Sequence, residues 1–143
     1  GYHDQEPYSK SSILRDSDII TYSKKVMEEY DVRPRSPQLI TSNFSGGNQQ
    51  KIILSRELNE SPKILLVGQP TRGVDIGAIE FIHQRLIDMR DKGAAILLVS
   101  VELDEVLSLS DRILVMFDGN IVGERINKDV TDRELGLLMA GVA

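Results

Sequence analysis

The spacing of apolar residues changes several times along the chain, and each change marks an element. In "DSDIITYSKKVMEEY", Ile19, Tyr22 or Ser23, Val26 and Tyr30 fall near one side of a 3.6-residue period. This predicts a helix over Asp16 to Tyr30, with Asp16 or Ser17 as its cap. "DVRPRSP" ends it, because a proline disfavours helix in the residue before it. Ser45 caps a second helix that closes near Asn59, ahead of "ESP". "KILLVG", bounded by Pro62 and Gly68, is short and apolar throughout and predicts a buried strand. "QPTRGVD" follows as a loop. Ile79, Ile82, Leu86 and Met89 or Arg90 then define an amphipathic helix over Ile76 to Lys92, stopped by Gly93. "AAILLVS" is a second buried strand, Glu102 to Leu109 a short helix, and "RILVMF" a third strand that turns at "DGN" into "IVGERI". Thr131 with Glu134 makes a capping box for a last helix. Residues 1–12 are polar and aperiodic and read as a loose lead-in.

Two helices are thus followed by strand, helix, strand, helix, strand, strand, helix. That alternation predicts an α/β layer with a mainly parallel core, whose strand ends gather any site along one edge. At 143 residues the chain is about one domain long. Its 41% hydrophobic and 27% charged residues suit an ordinary globular core. The net charge of −5 argues against a nucleic-acid partner, whose phosphates attract basic surfaces. There are no cysteines, which excludes disulfides, thiol catalysis and cysteine-based zinc sites. The longest apolar runs fall far short of the roughly 18 residues that a spanning helix needs. The N-terminal residues carry no signal-peptide pattern.

Three stretches are candidates for chemistry. "FSGGNQQK" has the make-up of a helix start that holds an anion on its exposed N–H groups, and equally that of an ordinary glycine-rich loop before a helix. The chain has no G-x-x-x-x-G-K-[ST] loop to cradle a nucleotide's phosphates. "ILLVGQPTRGVD" is a strand that delivers residues to a sheet edge, where phosphate-hydrolysing sites carry an acid for Mg²⁺ and a group that orients water. Here the edge offers Gly68, which has no side chain, and Gln69, which can hydrogen-bond but brings no charge. "LLVSVELDEV" puts Val101 where a histidine could act on a terminal phosphate. Of the two histidines, His83 lies mid-helix and reads as structural, and His3 lies in the lead-in. Asp104, Glu105 and the acids of "IDMRDKG" read as solvated helix faces.

In order, these stretches resemble the ATP-binding subunit of an ABC transporter. "FSGGNQQK" resembles the family signature, "KILLVGQP" the Walker B strand, "TRGVD" the D-loop, and "SDRILVMFDGNIVGE" the strand and hairpin that follow. "VSVEL" stands at the switch-histidine position. "SGGNQQK" with "QPTRGVDIGAIEFIH" resembles the second nucleotide-binding half of the tandem ATPases that serve simple-sugar and nucleoside importers, the nucleoside branch most closely. The resemblance covers about Asp16 to Glu124. It implies a partial ABC-type ATPase domain of α/β class: a helical subdomain plus part of the mainly parallel P-loop NTPase core sheet, with a C-terminal hairpin. The implied division is a flexible lead-in over 1–15, the helical subdomain with the signature helix over 16–61, and the later part of the core over 62–143. It also implies a fragment of a longer protein, lying after that protein's Walker A loop.

In the family two such domains face head to tail, and the signature helix of one covers ATP held by the other. The resemblance therefore implies that Ser45, Gly46, Gly47 and Asn48 serve ATP and Mg²⁺ bound by the first nucleotide-binding domain of the same polypeptide. Asn48 stands where the family more often has glutamine. Asp75 of the D-loop would couple the two sites, or simply cap the helix at Ile76. Gly68, Gln69 and Val101 replace the Mg²⁺-associated aspartate, the catalytic glutamate and the switch histidine, so the domain's own site is expected to be degenerate. No cofactor is expected on this chain alone. The implied partners are membrane permease subunits at the cytoplasmic face, with the Asp16 to Tyr30 helix toward the permease. Exposed strand edges would favour self-association. Two other readings remain: a non-catalytic α/β nucleotide-sensing or interaction module, and an ABC-type ATPase outside transport.

Overall fold

The structure, a computed structural model, describes residues 5–142. The chain divides into two compact units, one made of the residues up to Pro62 with Thr71–Ile82, the other of Lys63–Pro70 with the residues from His83 onward.

The first unit opens with strands β1 (Ser9–Lys10) and β2 (Ile13–Leu14), paired antiparallel. Residues 9–14 are therefore a hairpin, where the sequence reads as aperiodic. Ser11 and Ser12 turn it at φ of 53° and 65°, and the Tyr8 ring lies 5.1 Å from that of Tyr22. Helix α1 (Asp16–Glu29) follows, with Arg15 at its N-cap position and no side-chain cap, in place of the expected Asp16 or Ser17 cap. Its end is a Schellman turn: Asp31 N–H donates to Glu28 O and Val32 N–H to Met27 O, with Asp31 left-handed at φ 47°. Val32, just beyond the turn, is fully buried. Helix α2 (Gly46–Leu58) is capped by Ser45 as expected and buries Gly47, Leu54, Ser55 and Leu58.

In the second unit, β3 (Ile64–Gly68) pairs in parallel with β4 (Ala95–Val99), in register Leu66 to Leu97 and Gly68 to Val99. Helix α3 (Ile76–Asp91) connects them in sequence, and the division between units falls within it. Leu65 and Val67 are buried, but Ile64 and Leu66 are 71% and 74% exposed, and Leu97 and Val99 are exposed as well. The expectation of strands buried on both faces is thus corrected: among the described residues only one face is covered, and the other presents bare apolar side chains. Helix α4 (Leu103–Leu109) leads to β5 (Arg112–Phe117) and β6 (Asn120–Ile126). These two pair antiparallel through a two-residue turn at Asp118 and Gly119, both at positive φ, which suits the twist of the flanking strands. They form a sheet separate from β3–β4. Helix α5 (Asp132–Met139) is capped by Thr131, whose Oγ1 accepts from Glu134 N–H. The Glu134 carboxylate reaches Arg125 of β6 at 2.6 Å. Leu135 and Leu138 pack with Ile113 and Val115 in the core of this part.

Candidate nucleotide-facing site

Ser45 accepts the N–H of Asn48 at 3.4 Å, which satisfies one of the orphan donors of the first turn of α2. The Asn48 side chain donates to the same oxygen, Nδ2 to Oγ at 2.9 Å, and accepts the Arg33 backbone N–H at 2.7 Å. One turn later, Lys51 donates to Asp31 O at 3.2 Å, lies 3.7 Å from the Asp31 carboxylate, and sits 4.8 Å from the centre of the Phe81 ring. The Arg33 side chain holds Asp31 from the other side at 2.9 Å. That hydrogen bond, helped by the charges of Arg33 and Lys51 and opposed by partial burial, lowers the Asp31 pKa below the ordinary carboxylate value. The turn at residues 31–33 is therefore tied to the first two turns of α2.

The glycines have a second partner. A Cβ on Gly47 would sit 2.9 Å from both Asp75 Oδ2 and Ala78 Cβ, and one on Gly46 would sit 3.2 Å from Gly73 O. The helix start thus packs directly on the 73–78 stretch. Asp75 also caps α3, since its Oδ1 accepts Ala78 N–H at 2.9 Å. Of the two roles open to Asp75, the geometry displays the capping one.

In the second unit, Gly68 ends β3 and Gln69 follows it, and Val101 lies two residues beyond β4. Gln69 N–H donates to Val99 O at 2.8 Å, which draws these positions to one carboxyl edge. Gln69 is left-handed at φ 50°, an uncommon conformation for a residue with a side chain. A Cβ at Gly68 would meet nothing within 4 Å, and Val101 is exposed. No carboxylate or imidazole stands at any of the three positions, so this edge does not fit Mg²⁺. Among the described residues no group of three or more His, Asp or Glu could hold a metal ion.

Sequence reasoning misplaced one acid. Glu105 is 3% exposed, not solvated, because α4 turns it inward, and its Oε1 lies 3.1 Å from His83 Nε2. Asp104 is exposed as expected. His83 has the structural setting expected of it. His3 lies outside the described residues. Neither the Asn48–Arg33 bond nor the burial of Gly47 on Asp75 was legible. The only sequence signal was that the residues involved are small or short and polar.

No protein-family model matches the chain. It is 50% identical over 135 residues to the nucleoside import ATP-binding protein NupA of Lactococcus lactis, a match that covers 94% of this chain and 27% of that protein. It is 46% identical over 137 residues to the guanosine import ATP-binding protein NupO of Bacillus subtilis, covering 96% and 27%. Its fold matches a solved ATP-binding cassette of an ABC transporter with a TM-score of 0.69 at 25% identity, covering 92% of this chain and 53% of that one. Its homologues are thus import ATP-binding proteins, and its structural neighbours are ABC ATPase cassettes. It spans about a quarter of the length of the curated relatives it matches. The stretch that resembles the ABC signature lies at the N-terminus of α2 and the one that resembles the D-loop lies before α3, and the two are in contact. None of the helices among the described residues is long and apolar enough to cross a membrane.

Proposed function

We propose that this chain is the later part of a second nucleotide-binding domain in an ABC importer ATPase that energises uptake of a nucleoside or simple sugar. Its signature, Ser45, Gly46, Gly47 and Asn48, serves ATP held by the first nucleotide-binding domain of the same polypeptide. Its own Walker B and switch positions, Gly68, Gln69 and Val101, are catalytically degenerate. The observation that carries this reading is the contrast between the two: a capped, anion-ready helix start at Ser45, and three positions, Gly68, Gln69 and Val101, that bring no charged group.

Phosphoryl transfer depends on neutralising charge and orienting water. Gly68, Gln69 and Val101 supply neither an anionic metal ligand nor a base, whereas Ser45 offers a hydroxyl and the start of α2 a positive dipole end. ATP and Mg²⁺ accordingly belong to the full complex, not to this chain alone. The nucleoside assignment is supported by the named functions of the two relatives. The bare apolar face of β3–β4 is consistent with cover by further parts of a cassette, since the chain matches 53% of the solved one. Exposed alone, that face favours self-association. The permease subunits are the remaining partners, reached from the cytoplasmic face of the membrane with α1 toward the coupling contacts.

The test is Ser45→Arg in the intact subunit. An arginine at the helix start blocks approach to the opposing phosphate and opposes the dipole, so ATPase activity should fall to background. ATPase at the unaltered rate contradicts the reading.

A further inference from the structure

Asn48 has a different part in this site from the one its place in the signature suggests. Its orientation follows from donor chemistry alone. The Arg33 backbone N–H, 2.7 Å away, can only donate, so the atom facing it is Oδ1. The side-chain nitrogen therefore faces Ser45, 2.9 Å from Oγ, and an amide nitrogen can only donate. The Asn48 backbone N–H approaches the same Oγ at 3.4 Å. A serine oxygen has two lone pairs and one hydrogen. With both lone pairs engaged by Asn48, the hydroxyl hydrogen is left to point away from α2. Ser45 is exposed, at the end of the helix where the macrodipole favours an anion.

We infer that Asn48 is a positioning residue, which turns the Ser45 hydroxyl outward as a donor to a phosphate oxygen. Oδ1 holds the Arg33 N–H and one N–H of Nδ2 goes to Ser45 Oγ, so each end of the amide has a partner within the first unit that fixes its orientation. The inference rests on the proposed trans role of the signature and deepens it. A hydroxyl already aimed at its acceptor loses nothing to reorientation during the reaction, and that is the condition under which a single donor counts most. The Arg33 bond holds the amide in place. That turn is in turn held by Lys51 and Asp31, so α1 and the donor at Ser45 are joined by a short chain of hydrogen bonds.

The test uses the intact subunit and two variants that separate orientation from mere bracing. Asn48→Asp keeps an oxygen for the Arg33 N–H but presents a second oxygen to Ser45, which must then donate inward. Asn48→Ala removes both bonds and leaves the Ser45 hydroxyl free to rotate. Orientation predicts that Asp is the worse of the two, with kcat down about 10- to 100-fold and KM for ATP within about twofold of the unaltered protein. Bracing alone predicts the reverse order, because Asp retains the Arg33 bond.

The added charge of Asp is controlled by repeating the substitution in a Ser45→Ala background. If the effect passes through the hydroxyl, Asn48→Asp changes kcat there by less than about twofold. The inference is overturned if Asp is milder than Ala, if KM rises in place of the fall in kcat, or if the effect persists without the Ser45 hydroxyl. Full activity in Ser45→Arg would overturn the functional reading itself. An inactive Ser45→Arg with a fully active Asn48→Asp overturns the inference alone.

Discussion

Replacing Gly47 by alanine adds one methyl group to a place that has no room for it. The new Cβ would lie 2.9 Å from Ala78 Cβ and 2.9 Å from Asp75 Oδ2, against the roughly 3.5–4.0 Å at which carbon atoms rest. The Asp75 carboxylate could swing aside, but it caps α3 through Ala78 N–H, and loss of such a cap costs about 1 kcal/mol. Ala78 Cβ is fixed to the first turn of α3 and cannot swing at all. Overpacking of this kind typically costs about 1–3 kcal/mol. Alanine returns at most about 1 kcal/mol of helix propensity, and less in a first turn. Gly47→Ala should therefore destabilise the first unit by about 1–2 kcal/mol. Gly136→Ala is the control: it lies inside α5, and a Cβ there meets nothing within 4 Å, so it should be neutral or stabilising by up to about 1 kcal/mol. Urea denaturation of both variants gives the midpoints, and hydrogen exchange at α2 and the start of α3 localises the change. A Gly47→Ala protein as stable as Gly136→Ala would refute the account of this contact. So would a penalty for Gly47→Ala that is unchanged when Ala78 is also made glycine.

Two further outcomes follow from the polar contacts. The Asp31 pKa is lowered in the folded state, so its contribution is present above the unfolded pKa and is lost as pH falls through the folded one. Asp31→Asn keeps a residue that tolerates the left-handed turn and should flatten the acid side of a stability–pH curve by less than about 1 kcal/mol, because the pair is partly exposed; a steeper acid limb in the variant would contradict this. His83→Leu removes a partner of buried Glu105 and should destabilise the second unit by about 1–3 kcal/mol, with the His83→Leu/Glu105→Leu pair costing less than the sum of the two. Strictly additive melting shifts would show that the two residues do not interact.

Much of the local structure was legible because its causes are local. The "DGN" turn adopts positive φ at Asp118 and Gly119, Ser45 and Thr131 cap their helices, and α3 stops at Gly93. The hairpin at residues 9–14 was missed because Ser11 and Ser12 are a weak turn signal compared with Asn-Gly or Asp-Gly. The exposed side of β3–β4 was missed because an apolar run states what a strand would bury, not whether anything is there to cover it. Ser45, Gly68, Gln69 and Val101 could be singled out from their neighbours in sequence. Contacts made across the fold, such as Asn48 to Arg33, Gly47 to Asp75 and His83 to Glu105, have no local signature. They depend on which helix faces align, and a few favourable contacts per face decide that only once the chain has folded.

The trans arrangement is tested most directly by calorimetric titration of MgATP into this chain alone, and then into an equimolar mixture with a domain that carries an intact Walker A loop. The account predicts no heat of binding with the folded chain by itself, and binding in the mixture that Ser45→Arg abolishes. Micromolar binding of MgATP to the chain alone would contradict it, because the phosphates would then have a home that the signature helix and the bare β3–β4 edge do not provide.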